Sequence, residues 1–297
     1  MTSSPNLHGA ALMVAGMTSF TLSDACMKAL GTAMPLSQSL LLRGAAVTLI
    51  LALVLGRALA EPVGRRDWGI MLLRAAAEAG AAWFFFLALA RMPLANLSAV
   101  MQASPLAITL AAWPVLGQRV GAGRLLAILG GLAGVLLIVR PGAEGWGWPV
   151  CQALGSVACV TVRDLASRGL GPKVPTPLVV LVTGAGVALS GALVAPFQGG
   201  WVALDGRAAL LLAATTVFVM GGYGGITAAM RRGEVSFVAP FRYAGLLVAI
   251  VVGVAAFGTF PDSPTLLGAG VVVATGLFTL LREARRPRPE EEAAPGV

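Results

Sequence analysis

The sequence predicts an all-α membrane protein of ten transmembrane helices, arranged as two inverted five-helix repeats around a central cavity. Three observations carry this. The first is composition: of 297 residues, 57% are hydrophobic and 11% charged, with a mean hydropathy of +0.85. A soluble chain runs at about 45–50% apolar and about 25% charged. That gap excludes an ordinary soluble enzyme, and a disordered chain would be charge-rich instead. The second is ten apolar stretches of the length a bilayer demands, about 20 residues each. The third is a self-match of the chain at one fixed offset of 140 residues.

Met1–His8 is a short cytoplasmic lead segment without a basic start. No small-residue cleavage site follows it, so the first span reads as retained rather than as a signal peptide. The spans run over 9–30, 37–57, 68–90, 94–117, 121–140, 148–169, 174–195, 207–230, 235–257 and 264–281. Turn chemistry parts them. Met34-Pro35 closes the first, Glu61-Pro62 follows the second and Met92-Pro93 the third. Arg140-Pro141-Gly142 ends the fifth, Gly171-Pro172 the sixth and Phe260-Pro261 the ninth. The units are then a lead segment at 1–8, one repeat over 9–140, a second over 148–282 and a charged, Pro-rich disordered tail at 283–297. Cys26, Cys151 and Cys159 all lie in apolar stretches and read as small packing residues.

Direction follows from the 21 Lys and Arg. With the N-terminus in the cytoplasm, 13 fall inside, 4 outside (Lys28, near the outer end of the first span, among them) and 4 deeper within spans. That bias places both termini on the cytoplasmic side of a bacterial inner membrane.

At the offset of 140, Asp24 meets Asp164, Lys28 meets Arg168, Pro35 meets Pro175, Gly44 meets Gly184 and Arg91 meets Arg231. Each unit holds five spans, and an odd number inserts the second copy upside down. Inverted repeats of this kind are a transporter signature, because two halves that exchange shapes give two opposite-facing states of similar energy. A duplicated scaffold without transport is the bland alternative.

Ser23-Asp24-Ala25-Cys26-Met27-Lys28-Ala29-Leu30-Gly31 and Ala88-Leu89-Ala90-Arg91-Met92-Pro93-Leu94, together with the five-plus-five layout over about 9–282, resemble the EamA type of the drug/metabolite transporter superfamily. The stretch from Ala239-Pro240-Phe241-Arg242-Tyr243 to Phe260-Pro261-Asp262 resembles a branch that takes up vitamins or nucleoside-like cofactors; other branches export amino acids. The resemblance implies alternating access around a cavity lined by spans 4 and 9. One departure stands out. The family usually closes the fourth span of each half with Gly-Glu, whereas this chain has Gly117-Gln118 and Gly258-Thr259.

Ionisable groups inside spans are expensive and face a cavity or a partner. Eight fall there: Asp24, Lys28, Arg43, Arg74, Glu78, Arg163, Asp164 and Arg242, a balance of +2. Direction puts Asp24, Lys28 and Arg43 in the outer half and the other five in the inner half. Arg74/Glu78, Asp24/Lys28 and Asp164/Arg168 are each four apart, the spacing of a pair on one helix face. The expected cavity set is Arg74, Glu78, Trp83, Gln102, Arg163, Asp164, Tyr223, Arg242 and Tyr243, with Asp24, Lys28, Arg43 and Arg168 as a gate or ion pairs. Unpaired arginine suits carboxylate or phosphate, so the expected cargo is a small anionic or zwitterionic metabolite: an amino acid, a vitamin or a nucleoside-like cofactor. The single histidine, His8, lies at the N-terminus, which removes His-dependent triads and metal sites. The chain reads as no enzyme, an intramembrane enzyme being the rival, with no metal and no cofactor. Its partners are a solute and membrane lipid, not nucleic acid, and it is a monomer or homodimer.

Overall fold

Apolar runs without β-alternation fold here as helices. The computed structural model describes residues 4–56, 63–116, 122–139, 147–171, 173–232 and 238–284, and no strand occurs among them. In chain order the helices are α1 (Ser4–Leu30), α2 (Leu36–Leu55), α3 (Arg65–Leu89), α4 (Leu94–Met101), α5 (Ser104–Leu116), α6 (Ala122–Val139), α7 (Trp148–Arg168), α8 (Thr176–Val194), α9 (Gly206–Arg232), α10 (Ala244–Phe257) and α11 (Ser263–Ala284). Short 3-10 turns at Ala195–Phe197 and Ala239–Tyr243 follow α8 and precede α10. The Arg140-Pro141-Gly142 turn, the Gly117-Gln118 departure and the 285–297 part of the tail lie outside the described residues.

Proline and aspartate set several starts. Pro35, Pro93 and Pro175 precede α2, α4 and α8, where a helix start has no use for their missing N–H. Asp205 Oδ1 accepts the Ala208 N–H at 2.6 Å and Asp262 Oδ1 the Thr265 N–H at 3.2 Å, which caps α9 and α11. Gly258 ends α10 at φ 62°, a conformation that any Cβ would strain.

Among the described residues six segments are long and apolar enough to cross a membrane: Asn6–Leu30, Leu36–Val54, Arg65–Leu89, Leu94–Ala112, Thr176–Phe197 and Gly206–Ala229. Shorter apolar stretches cover Ile128–Ile138, Phe241–Phe257 and Ser263–Phe278. α7 has the length but is too polar; it buries Gln152, Ser156 and Thr161 against its neighbours.

The single span expected over 94–117 is broken in two. Pro105 has no N–H for the carbonyl of Met101, four residues back, and the Ser104 hydroxyl donates to that carbonyl at 2.7 Å instead. The span expected over 235–257 is described from Val238, and its first turn is the 3-10 segment that holds Pro240.

α1 lies along α9, α3 along α7, α2 along α8 and α6 along α11. Lesser seams join α3 to α8, α2 to α9, α1 to α10, and α4 to α7 and α10. Glycine makes the crossings close. A Cβ on Gly44 would meet Ala188 N at 2.7 Å and the carbonyl of Gly184 at 2.9 Å. One on Gly134 would meet the carbonyl of Gly268 at 2.8 Å. The core gathers around α4, with Leu94, Leu97 and Val100 fully buried beside Leu30, Leu40, Leu89 and Val272. Large apolar side chains such as Leu53, Leu126, Leu210, Leu247 and Val251 face outward, as a lipid-facing surface requires.

Candidate functional site

Arg74 and Glu78 stand one turn apart on α3, and their spacing offers them to each other. The structure sends both across to other helices, which corrects the expected pair. Glu78 Oε2 accepts Arg163 Nη1 of α7 at 2.9 Å, and Glu78 Oε1 accepts the Tyr223 hydroxyl of α9 at 3.2 Å. Arg74 Nε donates to Ser167 Oγ at 2.9 Å, and its Nη1 donates to Thr183 Oγ1 of α8. An Arg placed N-terminal to Glu is the weaker order for a pair along one helix.

The other two expected pairs are corrected as well. Lys28 donates to the Leu89 carbonyl at 2.9 Å and the Met92 carbonyl at 2.7 Å, and its ammonium lies 5.4 Å from the Phe257 ring centroid. The free carbonyls at the end of α3 draw it away from Asp24. Asp164 Oδ1 accepts its neighbour Arg163 Nε at 2.7 Å, while Arg168 is exposed at the end of α7.

A hollow lies between α2, α3, α8 and α9. Its polar wall is Arg43, Arg74, Glu78, Thr183 and Tyr223, and its apolar wall includes Val47, Val187 and Val219. It encloses about 500 Å³ free of protein atoms, mouth included, of which water centres can occupy about 50 Å³. That is room for a few waters. A metabolite-sized solute needs the helices to part.

Arg43 belongs to this wall, next to residues that direction along the chain had assigned to the opposite half-depth. Its guanidinium carbon lies 5.0 Å from the Phe86 ring centroid, and the charges of Asp24 and Glu78 act on it. Asp24 itself, on α1, does not line the hollow. The α9 side is braced by Phe20, edge-on to Tyr223 at 5.0 Å.

Other expected cavity residues stand apart from the hollow. Trp83 Nε1 donates to Ser190 Oγ at 3.1 Å, which ties α3 to α8. Gln102 closes α4 at its break. Arg242 is exposed on the 3-10 turn, in the field of Asp164. Tyr243 is buried, with its hydroxyl against Gly276. Among the described residues no group of three or more His, Cys, Asp or Glu is placed to hold a metal ion.

Sequence reasoning missed Ser167, Thr183, Ser190 and Phe86. One signal for Thr183 was present: it stands 140 residues after Arg43.

Comparison with known proteins agrees with this architecture. Residues 7–140 match the EamA-like transporter family. A riboflavin transporter of Rhizobium johnstonii is 31% identical over 67% of this chain and 66% of its own length. A riboflavin transporter of Vibrio cholerae is 26% identical over 66% of this chain and 65% of its own length. The matched region thus spans just under two thirds of each of these two relatives. The pseudopaline exporter of Pseudomonas aeruginosa is 25% identical over 92% of this chain and 96% of its own. One solved crystal structure superposes with a TM-score of 0.61 over 96% of this chain and 100% of that one, at 24% identity, a likeness of fold alone.

Proposed function

We propose, from the match of residues 7–140 to the EamA-like transporter family, that the chain is a secondary carrier. It moves a small anionic or zwitterionic organic metabolite across the bacterial inner membrane by alternating access. Its transporter-named relatives favour a carrier over an enzyme.

The observation that carries the reading is the hollow. Its polar wall is built by α2 and α3 from one half and α8 and α9 from the other. A charge network crosses the same seam, with Glu78 of the first half held by Arg163 and Tyr223 of the second. Groups that link two halves at a midplane hollow are placed to feel both a solute and the relative position of the halves.

The packing supports two halves related by a two-fold exchange. Exchanging each residue with the one 140 away turns the α1–α9 seam into the α7–α3 seam, and α3–α8 into α9–α2. It returns α2–α8 and α6–α11 to themselves. Gly44 and Gly184, which exchange with each other, touch at the α2–α8 crossing, where an axis relating the halves has to pass. The breaks before Pro105 and around Pro240 fall in matching spans 4 and 9, but the hollow is lined by spans 2, 3, 7 and 8 rather than by the spans 4 and 9 that the resemblance implied.

The test is uptake into proteoliposomes, with the solute recovered chemically unchanged. Riboflavin, pseudopaline, amino acids and nucleotide cofactors form the panel. Arg74→Ala, at the wall of the hollow, is expected to weaken uptake while leaving membrane insertion intact. Normal uptake in this variant sinks the assignment of Arg74 to the site. Chemical conversion of the solute sinks the carrier reading.

A further inference from the structure

Arg43 and Arg74 line the hollow and Arg163 is bonded to its Glu78, and the hydrogen-bonding capacity of the three arginines is not equally spent. Arg163 gives Nη1 to Glu78 and Nε to Asp164. Arg74 gives Nε to Ser167 and Nη1 to Thr183. Arg43 lines the hollow, yet among the described residues no acceptor lies within hydrogen-bond distance of it. A guanidinium carries five N–H donors and cannot shed its charge in a protein. Asp24 and Glu78 act on Arg43 through space only, and Glu78 is already held by Arg163 and Tyr223.

Arg43 is also held in place. Its guanidinium lies against the ring of Phe86, which is 7% exposed and met edge-on by Phe85 at 5.2 Å between centroids. A ring beneath the plane of a guanidinium satisfies its face and leaves its N–H edge free. That edge is the part that grips two oxygens of one anion. A cation fixed by an apolar shelf, with its donors unspent and a hollow in front, is arranged for a ligand rather than for the fold. A structural ion pair would have shown a carboxylate on that edge.

We infer that Arg43 holds the anionic group of the solute, a carboxylate or a phosphate, through two parallel hydrogen bonds. Arg74 stays tied to the hydroxyls of α7 and α8 as an accessory charge. The inference rests on the carrier reading for its setting, but binding tests it apart from transport.

The experiment measures binding to the full chain in lipid nanodiscs, by thermal shift and titration calorimetry. Riboflavin and flavin mononucleotide are compared because they differ by one phosphate; succinate supplies the carboxylate arm. The expected result is that flavin mononucleotide or succinate stabilises the protein and riboflavin binds more weakly. Whichever anion binds identifies the oxygen source. Arg43→Gln then weakens the anion by about tenfold or more and leaves riboflavin unchanged. Arg43→Lys keeps the charge without the fork and falls between. Phe86→Leu removes the shelf and weakens the anion several-fold, and Arg207→Gln, on the exposed start of α9, changes nothing. If Arg43→Gln fails to fold, the Lys and Phe86 variants decide. The inference is overturned if no anion binds, if riboflavin binds as tightly as its phosphate, or if Arg43→Gln or Arg43→Lys binds the anion like the wild type. Anion binding through Arg43 without any flux would remove the carrier reading and leave this site standing. Undiminished flux of an anionic solute in Arg43→Gln would do the reverse.

Discussion

Glu78 is the point where three helices meet, since its two oxygens answer Arg163 of α7 and Tyr223 of α9 from a place on α3. Removing it leaves Arg163 with Asp164 alone. Breaking a fully buried pair costs about 3–5 kcal/mol. The side chains of Arg163 and Glu78 are 21% and 16% exposed and Asp164 remains, so Glu78→Ala is expected to cost less, about 2 kcal/mol. Glu78→Gln keeps an acceptor for Arg163 and costs less again. Thermal unfolding of the two variants checks the order, and a cycle with Arg163→Ala isolates the pair; additive effects would mean that the contact contributes nothing. The sequence made the cost of a charge at 78 legible, and with it the need for a partner. It did not make the partner legible. Spacing along one helix pointed to Arg74, whereas the true partner lies 85 residues away in sequence and is brought near only by the α3–α7 seam. Arg43 shows the same limit: depth read along the chain separated it from Arg74 and Glu78, and the α2–α8 crossing brought all three to one hollow.

At the scale of elements, helix existence was legible from apolar length, and several helix starts from Pro. Where a span breaks was not, because a proline in a membrane helix either kinks or breaks it according to what satisfies the freed carbonyl. Ser104 supplies that donor to Met101, and the span divides there. Close crossings were half legible: the repeat match singled out Gly44 and Gly184 but not that they touch. Gly276 on α11 is the sharpest case. It occupies a place where a Cβ would collide with the hydroxyl of Tyr243, which has no hydrogen-bond partner among the described residues. Gly276→Ala therefore forces the ring aside and is expected to destabilise by about 1–3 kcal/mol. Tyr243→Phe removes the colliding oxygen and loses no hydrogen bond. By itself it is expected to be near neutral, and it should restore part of the loss in the double variant, since the ring Cζ would still lie 2.7 Å from the new Cβ. Melting curves of the two single variants and the double decide. A Gly276→Ala protein as stable as wild type, or a double no better than the single, refutes the packing argument.

For the whole molecule, the offset of 140 pairs α1 with α7, α2 with α8, α3 with α9 and α6 with α11, and each main seam has a counterpart under that pairing. It could not predict that equivalent seams would differ in closeness. α3 packs along α8 through Gly186 on Ala75, through Arg74 on Thr183 and through Trp83 on Ser190. Its counterpart, the α2–α9 seam, is slighter. If the halves exchange shapes, the closer seam has to loosen while the slighter one tightens, and a solute crosses between those two states. A bond across the closer seam then stops the cycle. A Cβ at position 186 would lie 2.9 Å from the Cβ of Ala75. Disulfides span about 3.5–4.5 Å between Cβ atoms, so a small relaxation of α8 suffices. In a chain whose Cys26, Cys151 and Cys159 are alanine, Ala75→Cys with Gly186→Cys is expected to transport when reduced. It should stop on oxidation and recover with dithiothreitol. Oxidised protein that is fully cross-linked on a gel yet still carries solute would mean that α3 and α8 move as one body. The exchange of seams would then have to be abandoned, even with the hollow and its arginines left in place.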